Sequence, residues 1–267
     1  MKNILVLAHD DLGQESRLQA ALDVTRAVEG HLTCLDVALL PMMIPDDSYG
    51  SVATAILLTE EVRREDANRT RTEVRLAHED VPWDWIEATG QFASCLRQAA
   101  DLADLIVVSR QLDDFPLPDM NAVARDVLVQ SRKPVLAVPE HHERLDLSVA
   151  LVAWDGSAAA AAALAAAVPL LRLAERVIIL EVGEQSADTS TEEAATYLSR
   201  HDVHARIERL PPLEAGVART IAIGVGRHRA GYLVMGGFGH HRLAEAVFGS
   251  VTRELLSYSP VPLFLMH

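Results

Sequence analysis

Short apolar runs rich in Val, Ile and Leu alternate with longer amphipathic stretches along the whole chain. Runs of four to eight such residues bounded by polar or turn residues read as strands, and the 3.6-residue periodicity between them reads as helices. In the first half the strands are expected at 3–8, 31–37, 84–88, 105–108 and 134–138. In the second half they are expected at 149–153, 177–182, 205–210, 232–235 and 262–266, with helices at 158–173, 191–201, 213–228 and 250–257. A longer helix is expected over roughly 51–77, where Glu60, Glu61, Arg63, Arg64, Glu65 and Asp66 supply opposite charges at helical spacing and read as a solvated face. Alternation of this kind is the signature of a parallel sheet covered by helices on both faces.

The two halves end alike. Ala124-Arg125-Asp126-Val127-Leu128 leads to Pro134-Val135-Leu136, and Thr252-Arg253-Glu254-Leu255-Leu256 leads to Pro262-Leu263-Phe264, at a constant offset of 128 residues. They also begin alike, since Ile4-Leu5-Val6-Leu7-Ala8-His9-Asp10 and Val149-Ala150-Leu151-Val152-Ala153-Trp154-Asp155 are both apolar runs stopped by aspartate. This is a tandem duplication. The expected architecture is α/β, with two tandem five-stranded parallel sheets sandwiched by helices: one domain over 1–140, a polar seam at 140–146, and a second over 147–267.

Composition sharpens that picture. A chain of 267 residues suits two domains of roughly 150 or fewer, and 49% apolar against 23% charged residues suits packed cores. The net charge of −14 divides into −11 for residues 1–140 and −3 for 141–267, which disfavours binding to nucleic acid or to an anionic membrane surface. The apolar stretch 158–168 is nearly all alanine and too short to span a bilayer, and the N-terminal run meets His9-Asp10-Asp11 at once, unlike a secretory signal. Cys34 and Cys95 lie 61 residues apart, outside any metal or disulfide spacing, and read as small buried hydrophobes. The expected address is the cytoplasm.

Candidate chemistry is concentrated after the fourth strand of the second half. Gly236, Gly239, Gly249 and Ser250 form G-x2-G-x9-G-S. Glycine after a strand permits sharp turning and close approach of a ligand, and a Gly-Ser pair opening a helix gathers free N–H groups, the positive end of the dipole and a hydroxyl. That is an anion cradle suited to nucleotide phosphate. Asp155 ends the first strand of the same half, within reach of a ribose hydroxyl or a phosphate-bound Mg2+. Ser157 reads either as a contact or simply as the N-cap of the next helix.

On these residues the chain resembles the universal stress protein family over essentially its whole length, as two tandem domains. The resemblance implies ATP or another adenine nucleotide, alone or with Mg2+, held by Ala153, Trp154, Asp155 and Ser157 on the first strand side and by Val182 against the adenine. Met235, Gly236, Gly239, Gly249, Ser250, Val251 and Thr252 would hold the phosphates. It also implies pairing of the two domains through their fifth strands, 134–138 and 262–266, and leaves open a further homodimer and an unknown protein partner. Trp154 is bulkier than the small residue common at its position in that family.

The first half lacks this apparatus. Val108-Ser109-Arg110-Gln111-Leu112-Asp113-Asp114-Phe115-Pro116 contains no glycine, Asn121-Ala122 replaces Gly249-Ser250, and Asp10 is followed by Asp11 and Leu12 where the second half has Gly156 and Ser157. One nucleotide per chain is therefore expected. The second half has no lysine, so Arg242 or Mg2+ would neutralise phosphate charge; His240-His241 lacks a third ligand at a recognisable spacing, and Glu245 reads as a solvent-facing carboxylate. No established catalytic motif accompanies the loop. The leading expectation is a regulatory, stress-response interaction protein controlled by nucleotide; the alternative is a slow Mg-dependent ATPase or phosphotransfer enzyme.

Overall fold

The computed structural model describes residues 1–39, 50–110, 119–183, 189–238 and 248–267, with backbone only at 50–54 and 248–250. The elements run β1 (Asn3–Leu7), α1 (Gln14–Ala27), β2 (His31–Leu39), α2 (Gly50–Leu76), β3 (Trp83–Gly90), α3 (Phe92–Ala99), β4 (Leu105–Ser109), α4 (Met120–Ser131), β5 (Val135–Val138), β6 (Val149–Trp154), α5 (Ala158–Leu171), β7 (Arg176–Val182), α6 (Thr191–Ser199), β8 (Ala205–Leu210), α7 (Val217–His228), β9 (Tyr232–Gly236), α8 (Phe248–Tyr258) and β10 (Leu263–Met266).

All ten strands join one sheet in the order β3-β2-β1-β4-β5-β10-β9-β6-β7-β8. Each half is parallel within itself, and the halves meet antiparallel, with Leu136 opposite Phe264. The expected fifth-strand pairing is thus present within the chain. Alternate strand residues point to opposite faces. One face buries Ile4, Val6, Val152 and Phe264 under α1, α2, α5 and α6; the other buries Leu5, Leu7, Leu151 and Leu265 under α3, α4, α7 and α8. Strands buried on both faces explain the continuous apolar runs in the sequence. The seam is docked too, because Ser16 Oγ donates to Glu140 O at 2.6 Å and Leu145 N donates to Asp23 Oδ2 at 2.9 Å.

Two helix starts differ from expectation. The helix expected from 213 begins only at Val217, because Gly216 adopts φ +92° and Leu213 N bonds instead to Thr220 Oγ at 3.0 Å, closing a turn after Pro211-Pro212. The helix expected from 250 begins at Phe248, which places Gly249 and Ser250 inside the first turn of α8. Among the described residues no helix is long and apolar enough to cross a membrane.

Candidate functional site: the strand ends of the two halves

In a parallel sheet, crossover helices begin near the carboxyl ends of the strands, so ligand crevices form there. In the second half Ala153, Val182 and Met235 stand at those ends and share one sheet face with Val251 of α8. Trp154, one residue beyond Ala153, points to the opposite face and is buried beneath α5 and α6. Its indole belongs to that core, so its bulk is packed on the sheet face opposite Ala153. Asp155 is half-buried and its Oδ1 accepts from Ser157 N at 3.0 Å. Gly156 between them has φ +73°, a conformation that disfavours a side chain. Ser157 is the N-cap of α5, accepting from Ala160 N at 3.1 Å, so the capping reading of this residue holds.

Gly236 does not turn the chain; it is the last residue of β9 and lies against α5. A Cβ there would come within 2.6 Å of Ala160 N and 2.8 Å of Ala159 C, backbone atoms that cannot swing aside. Its glycine is required by the approach of α5. Val251 and Thr252 are buried in the second turn of α8. Gly239, His240, His241, Arg242 and Glu245 lie outside the described residues, as do Gln111, Leu112, Asp113, Asp114, Phe115 and Pro116 of the first half; the side chain of Ser250 is also not described.

The strand registers change one correspondence between the halves. Ile4 faces Leu32 and Leu105, whereas Ala150 faces Val177 and Tyr232, all on the same sheet face. Counting on from these pairs, Ala8 matches Trp154 and His9 matches Asp155. Asp10, which the sequence pattern aligned with Asp155, sits one position further on and pairs with Arg71 at 3.0 Å. Ser109 likewise matches Gly236.

The first-half strand ends are filled by protein. Arg17 of α1 is fully buried, donating from Nε to Leu7 O (2.9 Å), from Nη1 to Asp11 Oδ1 (2.7 Å) and Ser109 Oγ (2.7 Å), and from Nη2 to His9 O (2.9 Å). A buried guanidinium is tolerable only with such saturation. Beside it α2 lays a polar stripe over the β1 and β2 ends: Asn68 Nδ2 donates to Ala8 O at 2.9 Å, and Glu65 accepts from Asp10 N at 3.2 Å while its other oxygen lies 2.8 Å from His9 Nδ1. Asp36, near the end of β2, is pushed up to about 8, by burial first and then by the negative charge of Glu65. Burial would raise Glu65 as well, but its contact with His9 holds it below the usual carboxylate range. Sequence reasoning missed this cluster; its trace is the i,i+4 spacing of Glu61 and Glu65, which had read as solvated charge.

These features define a doubly covered parallel α/β protein built of two fused halves with unequal strand-end crevices. Among solved structures, the chain is similar to a universal stress protein from Archaeoglobus fulgidus at 18% identity and TM-score 0.64, covering 98% of this chain and 95% of that one. It is similar to a putative universal stress protein from Pseudomonas aeruginosa at 18% identity and TM-score 0.59, covering 100% of this chain and 93% of that one. A functionally unknown protein from Pseudomonas aeruginosa matches at 18% identity and TM-score 0.57, covering 100% and 92% of the two chains. No protein-family model matches the sequence, and no curated protein matches it. The fold is that of the universal stress proteins, with two such units in one chain.

Proposed function

We propose that the chain is a tandem universal stress protein that binds one ATP, or another adenine nucleotide, in residues 147–267, and that residues 1–140 are a diverged copy lacking the phosphate loop. The observation that carries the reading is the shared face of Ala153, Val182, Met235 and Val251 at the strand ends of the second half, where β9 leads into G-x2-G-x9-G-S. Adenine would lie against Val182 and Ala153, Asp155 would meet the ribose or a phosphate-bound Mg2+, and the first turn of α8 would offer N–H groups to phosphate. The contrasting first-half crevice, occupied by Arg17 and the polar stripe of α2, supports a single site. Bound nucleotide would then bias a protein-interaction surface in the cytoplasm as part of a stress response.

The test is mass spectrometry of the nucleotide that copurifies, followed by calorimetric titration with ATP. Binding near one equivalent per chain is expected, lost in Gly249→Asp while the ligand-free melting temperature is retained. Two equivalents would overturn the single-site assignment, and failure of every adenine nucleotide at millimolar concentration to raise the melting temperature would overturn nucleotide binding itself.

A further inference from the structure

The first half carries polar chemistry that nucleotide binding in the second half does not use. The ligand atoms of His9, Glu61 and Glu65 lie within 4.8 Å of one another. One cationic nitrogen already sits among them: Arg64 Nη2 is 3.3 Å from His9 Nε2, 3.0 Å from Glu61 Oε1 and 3.4 Å from Glu65 Oε1. An arginine can only donate, so His9 Nε2 accepts in that contact, while His9 Nδ1 lies 2.8 Å from Glu65 Oε1, buried and without a hydrogen-bond partner among the described residues. A buried imidazole nitrogen facing a carboxylate with no hydrogen bond to it is a donor atom open to a metal ion.

An independent feature points the same way. Asp36 is 4% exposed and lies against Glu65, and its Oδ1 meets no hydrogen-bond donor among the described residues. A buried oxygen left unmatched beside a second carboxylate is costly unless a proton or a cation compensates it. The Arg64 side chain that meets the cluster is 47% exposed.

We propose that His9, Glu61 and Glu65 form a binding site for a divalent transition-metal ion of the Zn2+ class, with Arg64 occupying the ion's place in its absence and Asp36 supporting the site from behind Glu65. One imidazole and two carboxylates make a borderline N/O donor set that suits Zn2+ and leaves a position for water. The site lies where the first half has His9 in the register position of Asp155, so the diverged crevice would have exchanged a nucleotide contact for a metal ligand.

The test uses the full chain stripped with chelator and titrated with Zn2+ against a competing chelator, with Co2+ as a spectroscopic probe. One equivalent is expected whose affinity falls at least about tenfold in Glu61→Gln and in His9→Gln, and rises in Arg64→Leu, where the competing cation is gone. Bound Co2+ should show visible absorption that the same two ligand variants abolish. Glu61 is only partly buried, so its variant keeps the test decisive even where His9→Gln fails to fold. Absence of binding in both the parent and Arg64→Leu, or Zn2+ binding unchanged by Glu61→Gln, overturns the proposal, the second result assigning the ion to other histidines.

Discussion

The guanidinium of Arg17 lies 2.7 Å from the hydroxyl of Ser109, the residue that matches Gly236 in the sheet register. Where the second half brings a helix backbone directly onto a strand end, the first half holds a buried cation there. This single exchange separates the two crevices more deeply than the missing glycines do, because it fills space and fixes charge.

Arg17→Met should therefore cost about 3–5 kcal/mol of unfolding free energy, because it leaves Asp11 without its ion-pair partner and strands the carbonyls of Leu7 and His9. Urea unfolding followed by circular dichroism reads this directly. A loss below about 1 kcal/mol would mean that the network is far better hydrated than its burial indicates.

Gly236→Ala and Ser109→Ala should behave oppositely to intuition about adding and removing atoms. The first adds one methyl against the backbone of Ala159 and Ala160 and should destabilise by about 1–3 kcal/mol through displacement of α5. The second removes only one of several acceptors of Arg17 and should cost about 1.5 kcal/mol. Denaturation midpoints of the two variants, measured without nucleotide, separate these effects from any on ligand binding.

Asp36 predicts a pH dependence. Its folded-state value of about 8 lies above that of an unfolded aspartate, so its contribution to stability is fully present below the unfolded value, near pH 4, and is lost as pH rises toward 8. Asp36→Asn should flatten the stability profile across this window and leave the variant more stable than the parent at pH 8. Unfolding curves at several pH values between 4 and 8, in the presence of chelator, provide the check. A parent-like slope in the variant would assign the pH dependence elsewhere.

A protease site inserted after His141 should permit cleavage without separation of the halves. Leu136 and Phe264, opposite one another across β5 and β10, are fully buried, and the halves also bond through Arg110 Nη1 to Ser257 O at 2.7 Å. The nicked protein should elute as one species on gel filtration and separate only in denaturant. Dissociation in buffer would show that the covalent seam, rather than the antiparallel strand pair, holds the sheet together.

Much of the fold was legible because its physical causes are local. Apolar runs buried on both faces mark β1, β4, β6 and β9, and the gapless 128-residue offset marks the duplication. Where a turn depended on the conformation of Gly216, the expected helix start was off by four residues. The expected anion cradle rests on spacing alone, in G-x2-G-x9-G-S, most of which lies outside the described residues. The face that Trp154 occupies was not legible, since it depends on strand register.

The sequence by itself determined the alternation of strands and helices, the number of repeats and the half that carries the glycine-rich loop, because periodicity and composition act over a few residues. Only the tertiary structure decided that the halves share one sheet, that His9 rather than Asp10 stands in the place of Asp155, and that Arg17 and Glu65 come to rest over the first-half strand ends. Those outcomes depend on contacts between residues far apart in the chain, where hydrogen bonding and burial choose the partner and no local pattern records the choice.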